Sequence, residues 1–147
     1  RGRAYRSLGQ YTEAVADLVK TLEADPENNR AYYYRGRAYR SLGQYTEAVA
    51  DLTKTLEADP EDSLAYYYRG RVYRSLEQLT EAIADFTLAL EFDPQFGFAY
   101  YYRGSSYDSL GDGDKAIADY RSVLEVSTEE SLIAAAKTGL SGLGVSE

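Results

Sequence analysis

The side chains best suited to chemistry in this chain are arginines and tyrosines set at helical spacing. Tyr33, Arg37 and Arg40 stand at i, i+4 and i+7, and Tyr67, Arg71 and Arg74 repeat that row. Positions so spaced share one face of a helix. A guanidinium can grip a carboxylate through two parallel hydrogen bonds. In the last copy the row becomes Tyr101, Ser105 and Asp108, so the cationic ladder weakens toward the C-terminus. The competing reading of any one arginine is a solvated side chain that pairs with acids on a neighbouring helix.

Other chemistry is poorly supplied. The chain has no His and no Cys, which removes the commonest general base and metal ligand as well as every thiolate. Paired carboxylates such as Glu13 and Asp17 recur in several copies, which argues against a unique acid/base site. We expect no catalytic residues, no metal and no cofactor. The net charge of −8 argues against nucleic acid or an anionic membrane as partner. No apolar run approaches the roughly 20 residues that a membrane helix needs.

The elements that must carry these rows come from one repeated stretch, residues 31–60. Gly2, Gly36, Gly70 and Gly104 step by 34 residues, and so do Tyr5, Tyr39, Tyr73 and Tyr107. A fixed period of this size marks a stacked repeat architecture. Each unit reads as two helices, over about 29–42 and 45–58 in the second copy. Gly43 ends the first, and Asp59-Pro60 ends the second. Asp62 or Ser63 then caps the next helix. Ala48, Leu52, Thr55 and Leu56 form an apolar stripe that Val49 widens. Tyr32, Gly36, Tyr39, Ala48 and Leu52 are predicted packing residues, and Asp51, Glu57 and Asp59 are predicted to keep the outer face soluble.

This pattern resembles the tetratricopeptide repeat family, on Gly36, Tyr39, Ala48 and Pro60 in one unit and Gly70, Tyr73, Ala82 and Pro94 in the next. Tyr32 and Tyr66 stand where the family often has Trp. Arg35, Arg69 and Arg103 stand where it usually has Leu, and Glu77 replaces the glycine between helices. The resemblance implies an all-α, right-handed superhelical solenoid of helix-turn-helix repeats with a degenerate C-terminal helix. Its units would be a partial first repeat (1–28), three repeats (29–62, 63–96 and 97–130), and a capping or docking helix with its tail (131–147).

The resemblance also implies a function: a non-enzymatic protein–protein interaction scaffold whose first helices line a concave groove. Eleven of the twelve arginines fall in those helices or at their starts. The groove residues would be Tyr33, Tyr34, Arg37, Arg40, Tyr67, Tyr68, Arg71, Arg74, Tyr101 and Tyr102. The family's clamp of Lys and Asn for chaperone tails is not matched, because Arg37 and Arg71 stand where Asn is expected and Tyr33 and Tyr67 where Lys is expected. Packed helices sit about 8–10 Å apart and an extended chain rises about 3.3 Å per residue. An extended ligand would then meet a new row about every third residue, and acidic residues at that spacing would suit it.

The ends suggest a second kind of partner, the chain itself. Residues 1–18 repeat 35–52 without a change, and Val19 against Thr53 is the first difference. Nothing aligns with residues 29–34, so the first helix is expected to run only about two turns before a turn at Gly9. At the other end 127–130 reads as a capping box, followed by a short helix over 131–140. Complementary ends make a head-to-tail contact, which forms filaments where it does not close. The predicted self-association residues are Arg1, Ala4, Tyr5, Leu132, Ile133, Ala136 and Leu140. A filament would place the protein outside the cell or on its surface, and a monomeric adaptor would place it in the cytoplasm.

Overall fold

The computed structural model describes residues 2–146, with side chains from residue 7 onward. The described residues form eight helices and no strand. They are α1 (Gly2–Ala24), α2 (Asn29–Ser41), α3 (Tyr45–Ala58), α4 (Ser63–Ser75), α5 (Leu79–Phe92), α6 (Gly97–Ser109), α7 (Gly113–Val126) and α8 (Glu130–Gly142). The pairs α2/α3, α4/α5 and α6/α7 are the three full repeats. α1 packs on α2, and α8 packs on α7.

Local chemistry explains the boundaries. Asn28 and Asp62 each accept the backbone N–H three residues on, at 3.0 Å, which starts α2 and α4. Between the two candidate caps it is therefore Asp62 that caps α4. Gly43 and Gly111 take φ of 75° and 84° to turn the chain between paired helices. Glu77 takes the same turn at φ 61°, a conformation that glycine enters without steric cost. The tyrosines that replace the family's Trp also have a task. The hydroxyls of Tyr32 and Tyr66 donate to the carbonyls of Pro26 and Pro60 at 3.0 and 2.9 Å, which ties each first helix to the turn before it.

The predicted stripe of α3 is buried: Ala48, Leu52, Thr55 and Leu56 all lie in the interior. Gly36 is required where α2 crosses α3. A Cβ there would come within 2.9 Å of the Leu52 side chain.

Three expectations need correction. The first helix does not stop at Gly9; α1 runs unbroken through it from Gly2 to Ala24. Continuing the helix instead keeps the backbone hydrogen bonds that a turn would break. The capping box at 127–130 does not form either. Ser127 Oγ accepts the Glu129 N–H at 3.1 Å, and Glu129, at the cap position, makes no side-chain cap bond. Asp51 does not solvate the outer face, because it is buried, as are Asp85 and Asp119.

Candidate functional site

The first helices present two registers of arginine, and their fates differ. Arg35, Arg69 and Arg103 turn toward the second helix of their own repeat. Each makes a two-pronged ion pair: Arg35 with Asp51 at 2.7 and 2.8 Å, Arg69 with Asp85 at 2.8 and 2.8 Å, and Arg103 with Asp119 at 2.9 and 2.7 Å. Arg69 also donates to Thr53 Oγ1 of the preceding repeat, and Arg103 donates to Thr87 Oγ1 in the same way, each at 3.2 Å. The position that would serve Arg35 is Val19, which cannot accept a hydrogen bond. Burial pushes the Asp85 carboxyl above its ordinary value, against the pull of Arg69. These arginines are structural. The signal for them lay in the sequence as an Arg and an Asp sixteen residues apart in every unit.

The other register is the predicted ladder, and here no carboxylate pairs with the arginines among the described residues. Arg37 lies over the ring of Tyr68 at 4.3 Å and beside Tyr33 at 5.5 Å. One repeat on, Arg71 lies over Tyr102 at 4.5 Å and beside Tyr67 at 5.7 Å. Arg40 and Arg74 reach the same two rings, each at 5.6 Å. Tyr68 and Tyr102 thus each lie near two guanidiniums of the preceding repeat's first helix, and such contacts strengthen when shielded from water. Arg74 also donates to Ser105 Oγ at 2.6 Å. The Nε atoms of Arg40 and Arg74 are buried and have no hydrogen-bond partner. Burial, and then the positive charge of Arg71, push the Arg40 guanidinium below its ordinary value.

The tyrosines divide by depth. Tyr34 is 44% exposed, whereas Tyr67 is 5% exposed, with its ring against Phe96 at 4.7 Å. Tyr67 therefore offers the groove little beyond its hydroxyl, which accepts from Arg71 at 3.4 Å. Tyr33 packs edge-on against Tyr34 and Tyr68. Tyr101 packs against Tyr102 and Tyr120, which closes the row at its C-terminal side.

Burial pushes the Tyr33 and Tyr67 phenols up to about 12, and Arg37 and Arg71 only partly oppose it. An unfolded chain ionises tyrosine near pH 10. The raised values therefore favour the fold fully below about pH 10 and lose that contribution between about 10 and 12. Alkaline titration followed by tyrosinate absorbance should show a late-ionising fraction near pH 12 that appears together with loss of helical circular dichroism. Complete ionisation near pH 10 with helices intact would contradict this burial.

At the ends the picture is asymmetric. Leu132, Ala136 and Leu140 are buried on α7, and Ile133 is half-buried. Gly139 sits so close to the Tyr120 ring that a Cβ would meet it at 2.6 Å. α8 thus seals the last repeat. The side chains of Arg1, Ala4 and Tyr5 lie outside the described residues. No helix among the described residues is long and apolar enough to cross a membrane, and no cluster of acidic side chains there could hold a metal ion.

Comparison with known proteins agrees with this geometry. Tetratricopeptide repeat models match residues 1–54, 36–95 and 99–129. A search of curated protein sequences gives no match. Among solved structures, the crystal structure of MamA is similar at 27% identity and a TM-score of 0.82, over 95% of this chain and 82% of that one. MamA from Desulfovibrio magneticus is similar at 29% identity and a TM-score of 0.77, over 81% and 67%. The first repeat domain of Spaghetti (RPAP3), solved with an HSP90 peptide, is similar at 26% identity and a TM-score of 0.72, over 82% and 96%. With its repeat period, paired helices and glycine-mediated crossings, the chain belongs to the tetratricopeptide repeat family.

Proposed function

We propose that this scaffold holds an extended acidic peptide of another protein along the face built by Tyr33, Tyr34, Arg37, Arg40, Tyr68, Arg71, Arg74 and Tyr102. The observation that carries the reading is the Arg40 guanidinium. It is half-buried beside another cation, and its Nε lacks a partner. An unpaired buried donor costs free energy that a bound carboxylate would recover. Arg35, Arg69 and Arg103 are consumed by their aspartates, so within the ladder Arg37, Arg40, Arg71 and Arg74 are left for a ligand. The Spaghetti domain holds an acidic peptide, SRMEEVD, and that precedent supports acidic ligands in this fold. The Lys and Asn of the chaperone-tail clamp are absent here, so a different acidic sequence is expected.

The test compares a peptide with Glu at every third position with its Gln counterpart, by fluorescence anisotropy at low salt. The acidic peptide should bind at least about tenfold tighter, and Arg40→Ala with Arg71→Ala should remove the preference. Equal affinities would overturn the reading. Head-to-tail stacking draws less support, since α8 already covers the C-terminal face that a following copy would need.

A further inference from the structure

The ladder changes sign at its last rung. Counting on by 34 residues, Arg37 and Arg40 are followed by Arg71 and Arg74, and these by Ser105 and Asp108. The change alters what each arginine meets. Arg40 lies beside the positive charge of Arg71. Arg74, one repeat on, has Ser105 in that place and donates to its Oγ at 2.6 Å. Asp108 stands one helical turn beyond Ser105, and its charge reaches Tyr120 together with that of Arg74. It is exposed, and none of the ion pairs among the described residues uses it. Its place is also unfavourable to the helix. Asp108 sits in the last turn of α6, where the equivalent turns of α2 and α4 carry Arg40 and Arg74. A helix C-terminus is negative and favours cations, so a carboxylate there opposes the local field. An acid held against local preference, with no ion pair of its own, is a group available to a ligand.

We propose that Asp108 selects the ligand's last contact: the acidic peptide held on this face passes into a lysine or arginine where it reaches the fourth repeat. The inference rests on the acidic-peptide reading above and adds a direction to it. An extended chain that sets a carboxylate at each of the first two rows makes its next contact about three residues on, at Tyr101, Ser105 and Asp108. A third carboxylate there would face Asp108 as a like charge. A cation in its place gains a charge-assisted hydrogen bond instead. Complementary charges of both signs fix the register, and the repulsive contact rejects the wrong partner. A uniformly acidic segment, which an unbroken ladder would suit, is thereby disfavoured. The competing role for Asp108 is to balance the charge of Arg74 within the molecule. That role predicts one common effect on every acidic peptide, whereas selection predicts a change of order among them.

The experiment compares three peptides of equal length on the full chain, by fluorescence anisotropy at low salt. One carries Glu at three positions spaced by three residues. The others replace the first or the last of those with Lys. At least one Lys-bearing peptide should bind about tenfold tighter than the all-Glu peptide, against the trend set by net charge. Asp108→Arg, which continues the ladder, should reverse that order. The site is exposed and the helix end suits a cation, so helix content by circular dichroism should be unchanged. Glu91→Arg makes the same charge change at another exposed position and should leave the order as it was. An all-Glu peptide that binds the unmodified chain as tightly as both Lys-bearing peptides, or more tightly, would overturn the proposal and leave the acidic-peptide reading standing. So would an order that Asp108→Arg does not change, or one that Glu91→Arg reverses as well. If the all-Glu peptide binds no better than its Gln counterpart, the acidic-peptide reading falls and the role of Asp108 falls with it.

Discussion

Asp85→Ala is expected to lower the free energy of unfolding by about 3–5 kcal/mol, the usual cost of removing one partner from a buried ion pair. Asp85 is 3% exposed and takes both prongs of Arg69. Without it the guanidinium stays packed between Tyr66 and Tyr73 with only Thr53 as an acceptor. Chemical denaturation would measure the loss, and Glu91→Ala at an exposed site should cost less than about 0.5 kcal/mol as a control. Replacing the pair together, with Arg69→Leu and Asp85→Ala, should recover most of the loss because no unpaired charge remains. A single-variant cost under about 1 kcal/mol would mean that the pair is wetter than its geometry indicates.

Phe86→Ala should cost about as much, roughly 3–5 kcal/mol, through the cavity it leaves. Phe86 is fully buried between α4 and α6, against Tyr67 and Tyr102. Its ring also fills the space above Gly70, where an added Cβ would meet three ring atoms at 2.8, 3.0 and 3.1 Å. Gly70→Ala alone should therefore cost about 1–3 kcal/mol by overpacking. In the Phe86→Ala background the same methyl enters the cavity, so the two costs should not add. A coupling of about 0.5–3 kcal/mol in the double-mutant cycle is expected. Additive costs would show that the glycine and the ring do not share space.

Much of the fold was legible because the repeat makes each inference several times over. Gly36, Tyr39, Ala48 and Leu52 could be placed as packing residues from period alone. The salt bridges were harder to see. An acidic residue on a second helix usually faces water, and nothing within that helix separates Asp51 from Glu57; the distinction comes from Arg35 across the helix pair. The ladder was legible as a face but not in depth. Spacing puts Tyr33 and Tyr67 in equivalent places, and only the larger neighbours of Tyr67, Phe86 and Phe96, sink it into the core. α1 was misread for a physical reason. Its local sequence is identical to a stretch that turns, so the choice between turn and helix is made by tertiary contacts that sequence period does not show.

The hydrogen bonds from Arg69 to Thr53 and from Arg103 to Thr87 bear on cooperativity. In a stacked array, stability is close to a sum of unit terms and nearest-neighbour couplings. Each of these bonds adds to one coupling, joining the second repeat to the third and the third to the fourth. The boundary between α1 and the second repeat has Val19 in that place and lacks the bond. The array is thus coupled unevenly along its length, and melting should begin at α1 and travel toward α8.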